Sequence, residues 1–325
     1  MYRYRVQVAT RGAKRFGYID ASGEIVIPPI YDSARDFLNG FAAVGNWRQG
    51  RRGAINESGD VSIPISDFDY LGAFSPDGMV VVGASSGWIG MLDSRGSVVI
   101  PFEYTDLGLS TLNRIPYQLT SFGQFGYLDY QGNVVVPAQF ESACSFAPGG
   151  LALVSQDTKF GYLDLQANLA IPLQFDFGMQ FENGIAWASL PGERGRGVID
   201  VSGAWKFRTS YEGTHRFSEG LAGFAAGDPY DSKYGFLNLE GKTVLAPQFD
   251  RVRHFTCGVA PVKKDGAWRF IHKDGTYLET EPFAACEAFH NDLARVQSHD
   301  GKRSGYINIR GEWVWSTRLD LFLIE

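Results

Sequence analysis

The chain has 325 residues, 44% of them hydrophobic and 14% aromatic, so it can bury a substantial core and is neither disordered nor of low complexity. Its 30 Lys and Arg stand against 36 Asp and Glu, a net charge of -6 with no long block of one sign, which excludes the dense basic footprint of a nucleic-acid or anionic-membrane binder. No apolar run reaches the length of a signal-peptide core or a membrane-crossing helix, and Cys144, Cys257 and Cys286 form no metal-type pair, so the expectation is a cytoplasmic protein with free thiols and no metal or cofactor.

In chain order, RYRVQVAT at residues 3 to 10 reads as a strand, and RFGYIDASGEIVIPP at 15 to 29 reads as a hairpin. Ser22-Gly23 supplies its turn, because glycine takes positive φ freely, and the Asp20 side chain caps that turn. The returning strand Ile25-Val26-Ile27 meets Pro28, which has no N–H to give to a ladder and is expected to stop the strand. A polar-aromatic segment with Phe37 follows, then a turn and the small-residue strand of NGFAAV. The loop Trp47-Arg48-Gln49-Gly50-Arg51-Arg52 leads into a second pass through the same order.

That order recurs along the chain. Copies open at Gly17, Gly53, Gly90, Gly126, Gly161, Gly197, Gly235, Arg269 and Gly305, in steps of 34 to 38 residues. Turn glycines recur at Gly59, Gly96, Gly132, Gly203, Gly241, Gly275 and Gly311, whereas Ala167 fills the slot in one copy and predicts a strained or different turn there. Phenylalanine returns at Phe74, Phe146, Phe181, Phe217, Phe255 and Phe289, as core packing between neighbouring copies requires. The expected fold is all-β: one array over residues 1–325 of about nine antiparallel β-meander repeats. It either stays open as a superhelical solenoid or closes into a propeller-like ring. Nine units of about 36 residues, more and shorter than ordinary propeller blades, favour the open form.

These residues resemble the WG-containing repeat family of bacterial proteins, whose pattern is an aromatic-glycine pair, an Ile/Leu-Asp strand, a glycine turn, an apolar strand ending in proline and a later Phe-x-x-Gly-x-Ala. Phe16-Gly17, Phe125-Gly126, Phe160-Gly161 and Tyr234-Gly235 keep the pair, while Arg52, Ile89, Arg196 and Ser304 replace its aromatic and the eighth copy reads Trp268-Arg269. The resemblance implies a β-rich scaffold and no shared active site.

Catalytic signatures such as GxSxG, HExxH, CxxC or a P-loop are absent. The aspartates at one phase, such as Asp93, Asp129, Asp164 and Asp200, each sit beside a turn residue and read as turn caps. Cys144 and Cys286 share a slot with Ala34 and read as buried thiols; Cys257 precedes a turn glycine and reads as exposed. His254 and His290, beside core phenylalanines of adjacent copies, lack further ligands at matching phase.

Function is expected in the residues outside the period, because a repeat array recognises partners through its variable positions. Those are Trp47, Arg48, Arg51 and Arg52, then Arg194 and Arg196, then Tyr230 and Asp231 in the longest linker. Tryptophan and arginine are the side chains that dominate interface energetics. The expectation is a non-enzymatic protein-binding scaffold, in its sharpest form an inhibitor or immunity-type protein covering a basic toxin or enzyme. The alternative is a glycan-acting hydrolase or carbohydrate-binding protein, using acids such as Asp67, Asp69, Glu141 and Asp176 or exposed tryptophans such as Trp187, Trp205, Trp313 and Trp315.

Overall fold

In the first five copies and the seventh, the strand that carries the opening glycine is crossed by its returning neighbour over a bulge, and that crossing shapes the sheets. The computed structural model describes residues 2–10, 13–46, 51–66, 68–211, 213–228 and 231–318. In it Phe16 pairs with Tyr31 and Tyr18 with Ile27, so Gly17 alone faces residues 28 to 30. The same shift separates Phe125↔Phe140 from Tyr127↔Val136, and Phe160↔Phe175 from Tyr162↔Ile171. The surplus residues press on the glycine: a Cβ on Gly17 would lie 2.5 Å from the Ile27 carbonyl oxygen, and one on Gly126 2.3 Å from that of Val136.

Proline occupies the bulge, where no ladder donor is required. The expectation that it ends the strand is therefore corrected. Ile25–Tyr31, Val61–Ser66, Val98–Tyr104, Val134–Phe140 and Leu169–Phe175 all carry proline in mid-strand and continue beyond it. The eighth copy has a shorter ladder. Arg269 has a side chain at the crossing, and its returning segment forms only an isolated bridge, Ile271↔Tyr277. Trp268 still pairs with Phe283 as Phe16 pairs with Tyr31, and strand Phe283–Cys286 pairs onward with Leu293–Ser298, so the sheet runs on into the ninth copy.

Every strand pair is antiparallel, and no helix occurs among the described residues. The first sheet holds Tyr4–Thr10, Ala13–Ile19 and Ile25–Tyr31. The second holds Ser33–Ala34, Phe41–Asn46, Arg51–Asn56 and Val61–Ser66 in consecutive order. Its short first strand comes from the polar-aromatic segment, a strand the sequence pattern did not suggest. Equivalent two-residue strands are Asp106–Leu107, Ser142–Ala143 and Phe177–Gly178.

The core lies between successive sheets. Tyr18 and Ile27 of the first copy pack with Ala34, Phe37, Ala42, Val44 and Ile55 of the next stretch of chain. The in-phase phenylalanines are buried, and several set their rings obliquely against the strand aromatic of their copy: Tyr18–Phe37 at 4.7 Å, Tyr162–Phe181 at 4.6 Å and Phe236–Phe255 at 4.9 Å between centroids. Where that strand residue is tyrosine, its hydroxyl donates to a backbone carbonyl seventeen residues on: Tyr18 to Arg35 (2.7 Å), Tyr127 to Cys144 (2.8 Å), Tyr162 to Met179 (2.7 Å). The sheet face and the loop above it are thereby joined within one copy.

The hairpin turns follow the expected chemistry. Asp129 Oδ1 accepts from the backbone N–H of Gln131 and Asn133, and Asp93, Asp164 and Asp200 repeat the pattern. Ala167 keeps the glycine's conformation at φ +67°, a left-handed backbone that costs an L-residue about 1–2 kcal/mol. Ala167→Gly removes that strain and returns part of the gain as unfolded-chain entropy, so we expect a net stabilisation of about 0.5 kcal/mol. A urea titration checks this: the midpoint should rise at constant slope, and a lower midpoint would contradict the strain argument.

The chain divides into two compact units, Met1–Asp20, Ile25–Glu193 and Val198–Ala204 in the first, Ala21–Glu24, Arg194–Gly197 and Trp205–Glu325 in the second. Within each, the turn glycine of one copy rests on an apolar side chain of another. A Cβ on Gly59 would lie 3.3 Å from Ile27, and one on Gly203 3.3 Å from Ile171, in the first unit. In the second, Gly275 approaches the Leu245 side chain in the same manner, while Gly23 lies closest to the Val314 backbone carbonyl, with the Val314 side chain next.

Candidate functional site

Residues of the first copies converge on one cleft in the first unit. Its volume is about 210 Å³, and its walls include Arg5, Phe16, Arg35, Arg52 and Tyr70. Arg5 projects from strand Tyr4–Thr10, at the place where Ala43 stands in the next sheet: Arg5 pairs with Tyr18 as Ala43 pairs with Ala54. The guanidinium of Arg5 donates to the Ala34 carbonyl at 2.6 Å and meets the Asp36 carboxylate at 3.1 Å. Arg52 donates to the Phe68 carbonyl at 3.0 Å. Arg35 lies over the Tyr70 ring at 5.9 Å, and its side chain makes no hydrogen bond or ion pair among the described residues. Three guanidinium groups thus meet between the aromatic rings of Phe16 and Tyr70.

Of the residues expected to bind a partner, Trp47, Arg48 and Tyr230 lie outside the described residues. Arg51 and Arg52 stand at the root of the hairpin that carries the basic loop, paired with Asn46 and Gly45. Arg52 reaches the cleft, whereas Arg51 is exposed beside it in sequence. Arg194, Arg196 and Asp231 belong to the second unit. Arg194 is exposed, Arg196 donates to the Thr214 hydroxyl at 3.3 Å, and Asp231 sits 3.9 Å from Lys233.

Sequence reasoning missed Arg5 and Arg35. The feature that could have found them is charge segregation: residues 1–52 hold nine Lys and Arg against four Asp and Glu, a net +5, which leaves -11 for residues 53–325.

Two of the acids considered for catalysis have structural partners. Asp176 accepts from the Ser189 hydroxyl at 2.6 Å and Glu141 from the Thr158 N–H at 3.3 Å, while Asp67 lies outside the described residues. Trp187 is 2% exposed, which corrects its reading as a surface platform for sugars; the side chain fills the space between sheets. Trp205 and Trp313 are half-buried beneath Arg208 and Arg303, at 4.7 and 4.0 Å. Burial pushes the Cys144 and Cys257 thiols up and that of Cys286 up to about 12, away from a nucleophile's range. His215 is held below its usual value by burial and by the nearby His254. No group of three His, Cys, Asp or Glu among the described residues could hold a metal ion.

A family model described as "WG containing repeat" matches residues 16–46, 53–83, 125–159, 160–190 and 234–268, together half of the chain. No curated protein matches. Among solved structures, the crystal structure of the eukaryotic initiation factor superposes with a TM-score of 0.64 at 11% identity, covering 98% of this chain and 96% of its own. Hsv2 of "Kluyvelomyces marxianus" gives 0.45 at 9% identity, over 78% and 98%. The initiation-factor match speaks for the fold alone, a propeller-like succession of antiparallel meanders.

Proposed function

Because this chain belongs to the WG containing repeat family, we propose that it is a non-enzymatic protein-interaction scaffold, working in the cytoplasm as an inhibitor or immunity-type protein that covers a partner. One observation carries this reading. Most in-phase residues are consumed by core packing and turn capping, while Arg5, Arg35 and Tyr70 gather with Phe16 and Arg52 on one open cleft. The acidic balance of residues 53–325 suits a partner with a basic face, such as a toxin or a nucleic-acid-cleaving enzyme.

The test is affinity purification of the tagged full chain from its native host, mass spectrometry of what co-elutes, and calorimetry with the purified partner. A one-to-one complex, weakened at least tenfold by the joint changes Trp47→Ala and Arg51→Ala, is the expected result. Clean elution of the bare protein, or an enzyme partner whose activity is untouched by saturating scaffold, would remove the inhibitor reading.

A further inference from the structure

We propose that the Arg5–Arg35–Arg52 cleft receives a carboxylate side chain from an acidic segment of the partner protein, with Arg35 as its principal ligand. This rests on the scaffold reading above and gives it a chemistry.

The three arginines differ in readiness. Arg5 and Arg52 are tethered to the carbonyls of Ala34 and Phe68, which fixes their guanidinium planes, and Arg5 is also offset by Asp36. Arg35 is exposed and lies on Tyr70, a contact that orients a planar cation while leaving its N–H edge for a ligand. A guanidinium fork matches the two oxygens of a carboxylate, and such charge-assisted pairs are about twice as strong as neutral hydrogen bonds. The size of the space is consistent with one side chain and its methylene stem, with Phe16 and Tyr70 beside the stem.

Charge distribution favours a discrete carboxylate over a polyanion. Nucleic acid needs a continuous basic track along which many phosphates are neutralised. Here the neighbouring Arg15 is paired to Asp32, and residues 53–325 carry a net -11 that would repel a phosphate backbone. A short acidic segment on an otherwise basic partner satisfies both the cleft and the remainder of the chain.

The probe is a fluorescein-labelled octapeptide of alternating glutamate and glycine, titrated with the full chain at low salt and read by anisotropy. Its glutamine counterpart and a labelled twelve-nucleotide single-stranded DNA are run in parallel. The glutamate peptide should bind at least tenfold more tightly than either. Arg35→Gln should weaken it at least tenfold, Arg35→Lys should fall between, and Arg208→Gln, on the second unit, should change nothing. Arg35→Gln leaves the fold intact because only the backbone carbonyl of residue 35 serves Tyr18; an unchanged thermal midpoint verifies this. Equal binding of the glutamine peptide, indifference to Arg35→Gln, or tighter binding of DNA each overturns the proposal. A cleft that binds the peptide while the purification yields no partner would leave this assignment standing and defeat the inhibitor reading. A partner whose affinity ignores Arg35 would do the reverse.

Discussion

Gly126→Ala is expected to destabilise the protein by about 3 kcal/mol, far beyond the effect usual for adding one methyl group, because the methyl has nowhere to go. It would meet the Val136 carbonyl oxygen at 2.3 Å, the Tyr117 ring at 2.7 Å and the Ala138 nitrogen at 2.8 Å. Two of these are backbone atoms of the crossing strand, so relief requires the bulge itself to move. Gly40→Ala is the matched comparison. That glycine has nothing within 4 Å of a Cβ and suffers only through its φ of +86°, worth about 1–2 kcal/mol. Urea midpoints of the two variants decide the matter: equal losses would mean that the crossing tolerates a Cβ.

The second large effect is cooperative loss of the fold above about pH 10. Burial raises the hydroxyls of Tyr127 and Tyr162 far beyond the ordinary tyrosine range. It lifts Tyr130 to about 12, with the Asp77 carboxylate adding to the shift. A phenol whose folded pKa is raised stays protonated in the native state while its unfolded counterpart ionises from about 10. Stability is therefore unaffected below that pH and falls as pH rises from there towards the folded values. Each such tyrosine removes about 1.4 kcal/mol per pH unit, so Tyr127 and Tyr162 together remove about 3, against a typical total of about 5–15 kcal/mol. Tyrosinate absorbance should appear in one steep step coincident with the loss of β-sheet circular dichroism. Tyr127→Phe, which resembles what Phe236 and Phe270 do in other copies, should make that step shallower. Ionisation of all fifteen tyrosines with an intact sheet spectrum would contradict the burial of these hydroxyls.

What the sequence made legible is what each copy repeats. Phe37, Phe146 and Phe255 recur at one phase because every sheet needs the same filling, and Asp129 or Asp200 recur because every hairpin needs the same cap. The role of proline was misread because its missing N–H is visible in a sequence while the strand that crosses it is not. Trp187 looked like a surface platform because it interrupts a small-residue strand, yet the interruption is accommodated inside the core. The cleft was half legible: Arg52 lay in a conspicuous basic loop, but Arg5 and Arg35 are single residues in ordinary strand and segment positions. Only the register Arg5↔Tyr18 and the turn of chain at Ala34 bring them to one place.

The approach of Gly23 to Val314 bears on how the chain reaches its native state. Nearly all other packing joins residues within one copy or the next, contacts of low sequence separation that form early and cheaply. The turn at residues 21–24 is different, because the residue it rests against lies close to three hundred residues downstream. During synthesis the first hairpin would emerge and pair while that neighbour was still untranslated, so its turn would wait without Val314. Folding of this chain should accordingly show a fast phase in which most copies gain their sheets, followed by a slower one in which the first turn finds Val314. The interval between them is when the protein would be most exposed to aggregation and most dependent on chaperones.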